Sequence, residues 1–62
     1  MIDITVDDKS MIVEVDMHTY SYNTQGQMLE LLHAIIDKVK YSGESVTLFR
    51  AEGDKKRLID QW

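Results

Sequence analysis

From Met28 to Val39 the apolar residues Met28, Leu31, Leu32, Ile35, Ile36 and Val39 recur at steps of three and four, whereas on both sides of this stretch apolar and polar residues alternate. This change of period constrains the fold more than any other feature, because a three-to-four spacing lines one face of a helix and a spacing of two lines one face of a strand. In 62 residues there is room for one domain built from one helix and a few strands. The chain has no cysteine and no proline, 44% hydrophobic and 29% charged residues. That composition fits a folded domain and excludes a disulfide framework or a thiolate metal centre.

The period predicts a helix over 24–42. Asn23 or Thr24 caps its start, and Gln27 lies three residues after Thr24, where a capping box places it. Lys38 and Lys40 near the end suit the helix dipole, and Gly43 is well placed as the residue that ends the helix in a left-handed conformation. Leu29 falls within the same apolar stripe.

The flanking segments read as strands. In 2–7, Ile2, Ile4 and Val6 alternate with Asp3, Thr5 and Asp7. In 11–20, Met11, Val13, Val15 and Met17 take one face, and Ile12, Glu14, Asp16, His18 and Tyr20 take the other. A two-residue turn at Asp8-Lys9 pairs Val6 with Met11, Ile4 with Val13 and Ile2 with Val15, so that the apolar faces coincide. After the helix, 45–51 and 55–62 form a second hairpin around Gly53-Asp54. The expected architecture is a single α+β domain over 1–62. It is a two-layer ββαββ arrangement, with a four-stranded, mostly antiparallel sheet and one helix packed on one face. A parallel central pairing of the first and third strands is the alternative strand order, since the helix can serve as a crossover.

The second hairpin is apolar on both sides. With Gly53-Asp54 as the turn, Leu48 pairs with Ile59, Val46 with Gln61 and Arg50 with Arg57. On the other face Phe49 pairs with Leu58, Ala51 with Lys56 and Ser45 with Trp62. Only one face meets the helix, so one apolar set stays outside. With Val46, Leu48 and Ile59 inward, the candidate partner or dimer interface is Phe49, Leu58, Trp62 and Tyr20, with Ile12 and Tyr22 beside them. Contiguous apolar patches of several hundred Å² mark interaction surfaces, and a symmetric dimer would bury this one.

Eleven acidic and seven basic residues give a net charge of −4, which disfavours indiscriminate binding to nucleic acid. The acids are concentrated in the first half. In the expected register Asp3 faces Glu14, with Asp16 nearby, and these three form a candidate docking patch for a cationic partner. Arg50, Lys56 and Arg57, with Lys55, form a candidate anion or nucleic-acid patch beside the aromatic residues. His33 pairs naturally with Asp37 one turn on, and His18 lies apart on a strand, so no metal-ligand set or cofactor is expected. No nucleophile–base or paired-carboxylate spacing points to catalysis.

The first residues carry no signal peptide, and the longest apolar runs are three residues, far from a membrane span. The sequence therefore reads as a self-contained, non-enzymatic protein-interaction module. It would be an inhibitor or adaptor, cytoplasmic and dimeric, of the kind found among bacterial and bacteriophage accessory proteins. Single-stranded nucleic-acid binding through the C-terminal hairpin is the alternative.

Overall fold

The computed structural model describes residues 1–62 and contains five strands and one helix: β1 (Ile2–Asp7), β2 (Ile12–Val15), β3 (His18–Ser21), α1 (Gln25–Tyr41), β4 (Val46–Glu52) and β5 (Lys55–Gln61). The strands form one mixed sheet in the order β3-β2-β1-β4-β5. At its centre β1 and β4 run parallel, joined through α1, and the other three pairings are antiparallel. The α+β class and the single helix on a sheet agree with the sequence reading. The strand count does not, and the central pairing is the parallel alternative, although three of the four pairings are antiparallel.

The fifth strand comes from a turn within 11–20. Asp16 adopts φ +57, a left-handed conformation that Asp tolerates better than most residues. Val15 then pairs with His18 and Val13 with Tyr20. No glycine, asparagine or proline marks this reversal, so its alternation reads as continuous. The turn also reverses parity. Tyr20 and His18 now stand on the side of Val13 and Val15, the side that faces α1, and not on the open face. Met17, expected in the core, is at the tip of the turn and exposed.

The first hairpin closes over four residues, Asp8 to Met11, rather than two. Asp7 Oδ1 accepts hydrogen bonds from the backbone N–H of Lys9 at 3.0 Å and of Ser10 at 3.3 Å, which holds the wider loop. The register slides by two: Ile4 pairs with Val15 and Val6 with Val13. A slide of two preserves the faces, so the apolar side is as expected although each pairing differs.

The second hairpin turns at Gly53-Asp54 as expected, with Gly53 at φ +63. Phe49 pairs with Leu58, Arg50 with Arg57 and Ala51 with Lys56. The register then shifts by one, so that Leu48 pairs with Asp60 and Thr47 with Gln61. Ile59 is the extra residue of this bulge. Beyond it, Val46 and Trp62 exchange two backbone hydrogen bonds, at 3.0 and 2.8 Å. The expected pairs Leu48–Ile59, Val46–Gln61 and Ser45–Trp62 are therefore corrected, and Trp62 shares the side of Val46.

Helix α1 begins as its sequence dictates. Thr24 is the N-cap, its hydroxyl accepting from the Gln27 N–H at 3.1 Å, while the Gln27 side chain accepts from the Asn23 N–H at 2.8 Å. Gly43, at φ +83, ends the helix. Its N–H reaches the Lys40 carbonyl at 3.0 Å and the Glu44 N–H reaches that of Val39 at 3.3 Å, the two bonds of a Schellman motif. The core lies between α1 and the β2-β1-β4 centre of the sheet. Ile4, Val13 and Val46 are fully buried, and Val6, Tyr22, Leu32 and Val39 nearly so. No helix is long and apolar enough to cross a membrane.

Candidate interaction site

The bulge and the turn at Asp16 divide the apolar patch expected on the open face. Phe49 and Leu58 remain there, opposite each other on β4 and β5. Phe49 is half-buried, and the Lys56 ammonium lies over its ring at 6.0 Å from the centroid. Ile12 is two strands away from β4, on β2. Between them, Thr5 and Thr47 fill the middle of the open face and are themselves buried. Tyr20 and Trp62 are on the helix side, at opposite flanks of the sheet, and Tyr22 is buried in the core. The four candidate interface residues thus do not form one surface.

The acidic set is also rearranged. Glu14 is opposite Thr5, and Asp3 is level with Thr47 on β4, so the like-charge pair expected across the ladder does not form. Asp3 and Glu14 remain on the open face, and Asp16 lies in the β2–β3 turn. In the basic set, Arg50 forms a salt bridge with Asp8, and the Arg57 Nε is 2.9 Å from Glu52. Lys56 is on the opposite face from both arginines.

What sequence reasoning missed lies on the helix side of β5. A groove of about 200 Å³ runs between α1 and the β4–β5 hairpin, with Val6, Met28, Leu32, Leu48 and Ile59 among its walls and Gln25, Asp8 and Arg50 at one end. Leu29 is 53% exposed and lies four residues after Gln25, hence on the same helix face. Ile59 at 46% and Trp62 at 42% border the groove side of β5. The bulge brings this about, because it keeps Ile59 over the groove and carries Trp62 to the same side. No glycine or proline in 55–62 marks this register shift.

The polar end of the groove is held from behind. The buried Tyr22 hydroxyl donates to Asp8 at 3.1 Å, and Asp8 holds Arg50. Burial pushes the Tyr22 phenol above its usual value of 10.0. The hydrogen bond to Asp8 and the charges of Asp8 and Asp7 push the same way, and Arg50 opposes them. A second concavity, with Lys9, Glu52 and Gly53 on its walls, lies on the far side of the Asp8–Arg50 pair and shares both residues. The chain matches no protein-family model, no curated protein and no solved structure.

Proposed function

We propose that the chain is a small non-enzymatic interaction module that binds a larger protein and modulates it by occupying part of its surface. The observation that carries this reading is strand β5. It is an edge strand, all seven of its residues are exposed, and it presents Leu58 on one side and Ile59 on the other, with Trp62 just beyond it. An edge strand offers unpaired backbone N–H and C=O groups to an added strand. Lys55, Lys56, Arg57 and the bulge at Ile59 limit indiscriminate pairing, which favours a chosen partner over aggregation. Asp3, Glu14 and Asp16 would steer a basic partner and make its association salt-sensitive. The proposal is for a cytoplasmic accessory protein of a bacterium or bacteriophage.

The homodimer belongs to the same proposal, with β5 rather than the open face as the contact, since the open face lacks Tyr20 and Trp62. Nucleic-acid binding is less well supported. Its arginines are paired to carboxylates, and Lys56 with Phe49 is on the other side of the sheet.

The test is affinity capture from the source cells with the wild-type chain and the Leu58→Lys/Ile59→Lys variant in parallel, with circular dichroism as the fold control. The proposal expects a defined partner that the folded variant no longer retains. Capture unaffected by the variant would sink the β5 assignment. Light scattering on the purified chain separates the dimer, near twice 7.2 kDa, from a monomer.

A further inference from the structure

The groove between α1 and the β4–β5 hairpin combines an apolar trough with one ion pair at its end, and the two together specify what it accepts. The geometry points to a single leucine-type side chain of an uncharged peptide segment as its occupant. The aliphatic group would lie against Met28, Leu32, Leu48 and Ile59, and the flanking peptide unit would meet Asp8, Arg50 and Gln25. This rests on the interaction-module reading and names the part of the partner that the groove takes.

Size argues first. At about 200 Å³ the groove is smaller than the roughly 300–1,000 Å³ of sites that enclose whole drug-sized ligands. It suits one anchoring side chain better than a complete small molecule.

Charge argues second. The end of the groove carries one carboxylate, Asp8, and one guanidinium, Arg50, already paired, so its formal charge is zero. An incoming carboxylate would compete with Asp8 for Arg50, and an incoming ammonium would compete with Arg50 for Asp8. A peptide unit does neither. Its N–H can donate to Asp8 or to the Gln25 amide oxygen, and its C=O can accept from the remaining N–H groups of Arg50. Both partners are accessible, with side-chain exposures of 50% for Arg50 and 32% for Asp8.

Preorganisation argues third. The pair is backed by the buried Tyr22 hydroxyl on Asp8. A polar pair held from behind loses less freedom on binding than a free surface one.

The first arm of the test uses the wild-type chain. The intact chain, isotope-labelled, is titrated by NMR with N-acetyl-leucinamide, which is neutral, and in parallel with N-acetyl-leucine, an anion, and leucinamide, a cation. We expect millimolar binding of the neutral probe, with the resonances of Leu32, Leu48 and Ile59 moving, and at least a ten-fold weaker response to each charged analogue. Asp8→Asn should shift the preference toward the anion, and Arg50→Gln toward the cation. Equal or stronger binding of either charged probe to the wild type overturns the proposal. So does movement confined to Ile12 and Leu58, which lie outside the groove on the open face, or no movement at all. If partner capture still depends on β5 in those cases, the interaction reading stands and only the groove's occupant is wrong. If the groove binds the neutral probe but capture ignores the Leu58→Lys/Ile59→Lys variant, which alters a groove wall, the β5 reading fails while the groove's preference for a neutral leucine side chain stands.

Discussion

Strands β4 and β5 are hydrogen-bonded neighbours of seven residues each, yet they occupy opposite ends of the range of burial. Val46 and Thr47 of β4 are buried, whereas no residue of β5 is. The difference follows from position. β4 has a strand on each side and α1 across it, while β5 has β4 on one side and nothing on the other. The comparison teaches that hydrophobic side chains in this molecule serve two separable ends. Those of the β2-β1-β4 centre hold the fold, and those of β5 are available for contact.

The sharpest way to break this comparison is to cut into the centre. Ile4 is fully buried, and Ile4→Ala should cost about 3–4 kcal/mol. Domains of this length have in total roughly 3–9 kcal/mol. Urea denaturation should show a large drop in midpoint, or a chain already unfolded in buffer. A loss below about 1 kcal/mol would mean that the centre is not the stabilising region.

A smaller effect is expected where centre and periphery meet. Tyr22→Phe removes the hydroxyl that donates to Asp8 and should cost about 1–2 kcal/mol, measured in the same way. It should also change the alkaline limb of stability. The phenol's pKa is raised in the folded chain, so its contribution is complete below the unfolded value of about 10 and is lost as pH rises through the folded value. The wild type should therefore lose stability above pH 10 more steeply than Tyr22→Phe. Parallel curves would deny Tyr22 this role.

Next comes Gly43→Ala. Nothing lies within 4 Å of the position a Cβ would take, but φ is +83. The cost is therefore conformational alone, about 1 kcal/mol. A neutral result would show that the helix end can relax to a different cap.

The smallest effect should come from β5 itself. Leu58→Lys, at a residue 53% exposed, should change stability by less than about 0.5 kcal/mol, while reducing partner capture. A loss of 2 kcal/mol or more would make β5 part of the core and erase the distinction.

The helix illustrates what could be read from local sequence. Thr24, Gln27 and Gly43 act where their spacing says they should, and Leu32 and Val39 of the predicted stripe are its buried residues. Capping and helical periodicity are local, since each contact spans three to six residues, and so the sequence carries them in plain form. The same holds for the Gly53-Asp54 turn and the three pairs nearest to it. The inward face of 2–7 was also legible, because alternation survives a register slide of two.

The remaining features depend on parity or on distant partners. Asp16 reverses the chain with no strong turn signal, and Ile59 bulges with no glycine or proline beside it. Each change of one residue sends every later side chain to the other face, which is why Tyr20 and Trp62 left the patch assigned to them. The sequence by itself determined one amphipathic helix, its caps, a second hairpin and an α+β class. Only the tertiary structure decided the parallel β1–β4 pairing, the fifth strand, and the gathering of Tyr22, Asp8 and Arg50 at the end of one groove. These groups are 14 or more residues apart in the chain. Their meeting is set by which strands lie side by side, and strand order is settled by how the whole apolar surface can be covered at once.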